Sequence, residues 1–444
     1  MSFTPFDSPL YRELISDTEL AVLFSDAAEI RAMLLFEGAL ADAQGELGII
    51  PLESALFISR SAREVQLDPS ALAKGLAAAG VAGPALVAAF RAEMKAPEHA
   101  QWAHHGASSQ DLVDTGLVIR LRRAADILQQ RIEVLAETLG AQANQHAHVV
   151  MAARTRHQIA TPTTFGARVA TWHAPLPRHL QRLSQLRPRV EVVSLAGASG
   201  TSAALGPQAV EVEARVAAAL GLAASHHPWN ATRDGLAEFA GWLALVSGSM
   251  GKIATDVLQL IQAEPPQIGV SSGGGSSTMP HKANPVAAET IVALARHVAT
   301  LSSSLMHSQL TESDRDGAAW VQEWLSLPQL FCATGAALRH TQQMIEGIVP
   351  DADAMRATIE ATHGTMFAEP VTFALAEHMP RPEAAALVKE ACTRAGPDRS
   401  LRTILEAESP VVLDWEALFD PVAQCGRAVA LARAPAKGGD DDRK

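Results

Sequence analysis

The densest cluster of chemistry-bearing residues in this 444-residue chain lies at 271–289, which reads Ser-Ser-Gly-Gly-Gly-Ser-Ser-Thr-Met-Pro-His-Lys-Ala-Asn-Pro-Val-Ala-Ala-Glu. Asn284 followed by Pro285 is a good N-cap and first-turn pair. A helix starting there would aim free amide groups and the positive end of its dipole at the surroundings of Lys282. Such a place suits an anion. The glycines at 273–275 allow the loop to close over a ligand, and the hydroxyls of Ser276 and Ser277 can donate hydrogen bonds or exchange a proton. A flexible linker is the plain alternative, although linkers rarely carry an ordered Met-Pro-His-Lys-Ala-Asn-Pro sequence. A nucleotide-phosphate loop needs Gly-x-x-x-x-Gly-Lys-Ser/Thr after a buried strand, whereas Lys282 follows a histidine and no β-rich run precedes it.

Three other segments carry suitable groups. At 153–166, Ala-Arg-Thr-Arg-His-Gln-Ile-Ala-Thr-Pro-Thr-Thr-Phe-Gly places Arg154 and Arg156 close together. Their planar forks would bind paired carboxylates well, a solvated charged face being the alternative. His157, next to them, is a reserve proton donor, and on a helix it would point about 100° away from Arg156. At 104–115, His-His-Gly-Ala-Ser-Ser-Gln-Asp-Leu-Val-Asp-Thr offers His104, Ser108, Ser109 and Gln110 as substrate contacts. His104 and His105 cannot both face one pocket from regular structure. At 229–235, Asn230 and Arg233 are weaker candidates, because Arg233-Asp234 also suits the start of a helix. No metal site is suggested: His146 and His148 are two apart on a predicted helix, and neither His-Glu-x-x-His nor paired cysteines occur.

The elements that must position these groups read as helices. Long stretches of helical periodicity run at 111–146, 162–187, 232–264, 285–311 and 318–348. The clearest is the seam Leu236, Phe239, Leu243, Val246, Met250, Ile253, Val257 and Leu260. Its helix would be about 45–50 Å long, and its surplus surface favours an oligomer. Proline-punctuated shorter helices flank the bundle, giving an expected all-α chain of three domains at 1–110, 111–350 and 351–444. Within these, 265–284 is a flexible loop and 435–444 a disordered tail. Hydrophobic residues make up 48% of the chain but aromatics only 5%, a bias towards helix over sheet. A net charge of −12 argues against nucleic acid or an anionic membrane as partner. Three widely spaced cysteines and the lack of a leader or an uninterrupted apolar run point to the cytoplasm.

The stretch Gly275-Ser-Ser-Thr-Met-Pro-His-Lys-Ala-Asn-Pro285 resembles the signature of the fumarase/aspartase superfamily, and the segments at 104–115 and 154–166 resemble its other two active-site regions, in family order. The resemblance spans most of the chain. It implies a homotetramer with a twenty-helix core, each active site being assembled from three subunits. It also implies that Ser276 is the catalytic serine, with Lys282 and Asn284 binding anions and positioning the loop. No metal or organic cofactor is implied.

One departure narrows the chemistry. Many lyases of this superfamily read Gly-Arg-Thr-His where this chain reads Ala153-Arg-Thr-Arg156, and the histidine protonates a departing amine. Arginine cannot do so at neutral pH. A carboxylate, by contrast, leaves or adds without protonation, as in lactone formation from a muconate. The stretches at 6–11, 197–206 and 228–229 resemble the muconate-cyclising branch, implying a small tricarboxylate as substrate. A sulfonated muconate, a C–N lyase resembling adenylosuccinate lyase, and a non-catalytic tetrameric scaffold are the rival readings.

Overall fold

The computed structural model describes residues 4–225, 227–270, 274–275, 279 and 283–434. Five helices dominate: α1 (Asp26–Glu46), α2 (Ser109–Gln145), α3 (Asp234–Gln262), α4 (Val286–His307) and α5 (Gly317–Glu346). The expected all-α class holds, with four of the five predicted long helices found within a few residues of their expected ends.

The segment at 162–187 departs from the expectation. It begins in a β-hairpin, β1 (Val150–Thr155) and β2 (Gln158–Thr164), followed by the helices Phe165–His173 and Pro175–Val190. Valine, isoleucine and threonine at 149–164 favour a pleated surface, and the antiparallel register ends with Thr155 opposite Gln158. Asn284 also departs: it pairs with Gly274 in a two-residue bridge. Pro285 accepts the first helical bond, from the amide of Glu289, so the cap lies one residue later than expected.

Backbone proximity groups the chain into two compact units. The first comprises Met1–Arg131, His179–Gly248 and Ala293–Leu338; the second comprises Ile132–Arg178, Ser249–Val292 and Arg339–Lys444. In the first unit, Met33, Phe36, Leu40, Ile58, Leu86, Phe90 and Leu112 form a continuous core. In the second, Val371, Leu375, Val388, Leu401 and Leu405 form another. The apolar seam of α3 is buried within the chain from Leu236 to Leu260, so it is not the surface left for a partner. Exposed apolar side chains stand elsewhere, at Met306, Val321 and Leu325. No helix among the described residues is long and apolar enough to cross a membrane.

Candidate active site

In the first unit the segment leading into α2 is built as a rigid corner. The Ser108 amide donates to Asp111 Oδ2 at 2.7 Å, and the Asp111 amide donates back to Ser108 Oγ at 3.3 Å. This reciprocal cap satisfies the free donors of the helix start. The same Asp111 carboxylate accepts from the amides of Ala196 at 2.8 Å and Gly197 at 3.0 Å, stitching a second loop to the corner. Gly197 lies at φ 73° and Gly106 at φ 75°, conformations that favour glycine. A Cβ at Gly106 would also sit 2.5 Å from Leu205 Cδ2, so the two loops touch there with no room to spare.

Behind this corner lies a buried ion cluster. The Arg233 guanidinium grips Glu323 through Nε at 2.7 Å and Nη2 at 2.6 Å, and Asp114 through Nη1 at 2.8 Å and Nη2 at 3.1 Å. All three side chains are at most 2% exposed, and the Trp229 ring packs 5.0 Å from the guanidinium carbon. Burial opposes the charge on Arg233, but Asp114 and Glu323 outweigh it and raise its pKa. Burial also pushes the Glu323 carboxyl up, against the pull of Arg233. Gln110 is part of this lattice: Nε2 donates to the Asn230 carbonyl at 2.9 Å and to Asp114 at 3.2 Å, while Oε1 accepts from Arg315 Nε at 3.1 Å.

These contacts engage three of the residues offered by the sequence as substrate contacts. Arg233 and Gln110 were expected to touch substrate, but both are buried with their polar atoms committed to neighbours. Ser108 is buried, with its hydroxyl engaged in the helix cap. They position the corner. Ser109 and His104 remain partly accessible there. Sequence reasoning missed Asp111, Asp114 and Glu323. The one readable signal was Ser108 followed three residues later by Asp111, an N-terminal capping pattern.

The second unit holds the other group. Arg156 and His157 are the two turn residues of the β1–β2 hairpin, at φ 48° and φ 66°. Two left-handed residues in a two-residue loop define the turn that suits Asn-Gly. Holding Arg and His there costs about 1–2 kcal/mol each. They do not lie on a helix, so the expected 100° offset between them does not apply. Both are exposed at the tip. Arg154, inside β1, reaches Gln267 Oε1 at 3.4 Å.

The hairpin borders a cavity of about 470 Å³ whose charged lining is Arg154, Arg156, Arg168, Lys252 and Asp256, with His157 beside them. Four cations face one carboxylate. Asp256 is itself engaged by Trp172 Nε1 at 2.8 Å and by Lys252. Small polyanions fit this balance of charge. Arg168 and Lys252 escaped notice in the sequence because they lie on helices, Arg168 just past the 153–166 segment and Lys252 far from any motif. Asn284 lines a different cavity of about 270 Å³, with Ile268, Val270 and Met344, so the structure does not place it beside the hairpin arginines. Ser276, Ser277 and Lys282 lie outside the described residues.

Known proteins resemble this arrangement over its length. A lyase family profile matches residues 29–300. The chain is 41% identical over 422 residues to the 3-carboxy-cis,cis-muconate cycloisomerase of Pseudomonas aeruginosa, covering 93% of this chain and 92% of that one. It is 33% identical over 421 residues to the N-acetyl-S-(2-succino)cysteine lyase of Enterococcus italicus, covering 94% and 89%. The crystal structure of the 3-carboxy-cis,cis-muconate lactonizing enzyme from Pseudomonas putida matches with a TM-score of 0.90 at 36% identity, covering 97% of this chain and 98% of that one.

Proposed function

The chain belongs to this lyase family, and on that premise we propose that it is a cycloisomerase closing 3-carboxy-cis,cis-muconate to 4-carboxymuconolactone, a step of aromatic catabolism through protocatechuate. The observation that carries the proposal is the hairpin tip. Two non-glycine residues are held in a costly turn where an amine-expelling lyase of the superfamily needs a histidine acid, and the first of them is Arg156.

In the proposed reaction one oxygen of the substrate's own carboxylate adds to a diene carbon. The displaced π pair moves to the neighbouring carbon, beside another carboxylate, and that carbon takes a proton. The trianion becomes a dianionic lactone with one proton more, and no group is lost. A carboxylate nucleophile needs no base at neutral pH. Arg154 and Arg156 hold the substrate carboxylates in planar forks, and Lys282 and Asn284 supply further donors. Ser276 delivers the proton, with His157 in reserve, and Ser277, Ser109 and His104 line the substrate. The enzyme works in the cytoplasm as a homotetramer with sites shared between subunits. In support, the hairpin tip is exposed in the single chain.

Arg156→His tests this directly. Cyclisation should fall about 10- to 100-fold, the worth of one charge-assisted contact of about 1.5–3 kcal/mol, while slow release of fumarate from adenylosuccinate should appear. Unchanged cyclisation would remove Arg156 from the site.

A further inference from the structure

A glutamate stands on the buried face of α1 in the first unit. Glu37 on α1 has a fully buried side chain and lies among Met33, Leu34, Phe36 and Leu40, which are also buried. A carboxyl group in such surroundings is costly unless it serves a partner. Its Oε1 lies 2.6 Å from His104 Nδ1, and its Oε2 has no hydrogen-bond partner among the described residues. Sixty-seven positions separate the two residues, and no motif contains Glu37.

The loop that carries His104 is clamped at successive residues. Arg91 Nη2 donates to the Ala103 carbonyl at 2.7 Å, Glu37 takes the His104 ring, and Gln44 Nε2 donates to the His105 carbonyl at 2.7 Å. Glu37 and Gln44 are seven residues apart, two turns along one face of α1. The clamps hold His104 at φ 61°, a backbone conformation costly for a histidine, with its side chain 16% exposed. A histidine kept only for packing needs neither the strained backbone nor a buried carboxylate.

We propose that Glu37 is the positioning residue that keeps His104 a cation, with Nδ1–H spent on Glu37 and Nε2–H left to bind a carboxylate of the substrate. This inference rests on the reading above that His104 lines the substrate site. Burial alone would lower the His104 pKa, but the hydrogen bond and charge of Glu37, helped by the charge of Asp111 and opposed by that of Arg91, raise it overall. Removing the charge at position 37 therefore moves His104 deprotonation to lower pH.

Calorimetric titration with tricarballylate, an unreactive tricarboxylate, reads this without turnover. Wild type, Glu37→Gln, His104→Gln and the double variant are compared across the neutral range. Near pH 7.5, Glu37→Gln should bind about tenfold more weakly, the worth of one charge-assisted contact, and should take up a proton from buffer as it binds. As pH falls its affinity should approach that of wild type, because His104 becomes protonated in both. The ligand's own titration is common to all four proteins. His104→Gln should stay weak at every pH, and adding Glu37→Gln should weaken it no further. A Glu37→Gln curve parallel to wild type, or additive losses in the double variant, would overturn the proposal. Because wild-type turnover of the muconate is measured separately, an inert wild type that still shows the Glu37-dependent binding would count against the cyclisation reading and leave this inference standing.

Discussion

Arg233→Met should cost the fold about 3–5 kcal/mol, the penalty for removing one partner from a buried ion pair. One guanidinium serves two carboxylates, each through two hydrogen bonds, in a space where none of the three side chains exceeds 2% exposure. Methionine fills much of the volume but leaves Asp114 and Glu323 as like charges sharing a dry site, with Gln110 and Trp320 still donating to Asp114. The Glu323 carboxyl, already raised by burial, then loses the group that lowered it, so it should take up a proton in the folded state. An acid whose folded pKa is raised makes stability fall as pH rises. The loss should accordingly be larger near pH 8 than near pH 5. Adding Glu323→Gln should recover part of it. Urea unfolding at fixed protomer concentration measures all three results. A loss below about 1 kcal/mol, independent of pH, would mean that the cluster is not the support described here.

Ser276→Ala should lower turnover of 3-carboxy-cis,cis-muconate about 10²- to 10⁴-fold, the usual worth of a positioned proton donor. KM should change little if the arginines carry binding. The neighbouring Ser277→Ala should show the opposite balance, with a modest rise in KM and turnover mostly kept. Stopped-flow absorbance gives both constants, and light scattering should find both variants at four times the 46.9 kDa chain mass. Near-normal turnover in Ser276→Ala would assign the proton to another group, with His157 the first to try.

The long helices were legible because burial dictates their pattern: every member of the α3 seam is an apolar residue that the fold buries. The hairpin was not, because Arg156-His157 carries none of the glycine or asparagine that usually marks a two-residue turn. The substrate contacts were legible only as polar residues near a motif, and polarity does not say which way a side chain is spent. Gln110, Ser108 and Arg233 turned out to hold the corner. The partners of Arg233, Asp114 and Glu323, are 119 and 90 positions away, beyond the reach of any local pattern. Glu37 is the extreme case, an acid on the buried face of its helix whose purpose shows only when the His104 loop is folded against it.

The most direct test of the cyclisation is the conjugated-diene absorbance of 3-carboxy-cis,cis-muconate, followed with purified enzyme in the presence of a chelator, beside a parallel assay with adenylosuccinate. Rapid, chelator-resistant loss of absorbance with uptake of one proton per lactone formed, and no fumarate from adenylosuccinate, is the predicted result. Persistence of the diene while adenylosuccinate yields fumarate would contradict the leaving-group argument built on Arg156 and make the chain a C–N lyase.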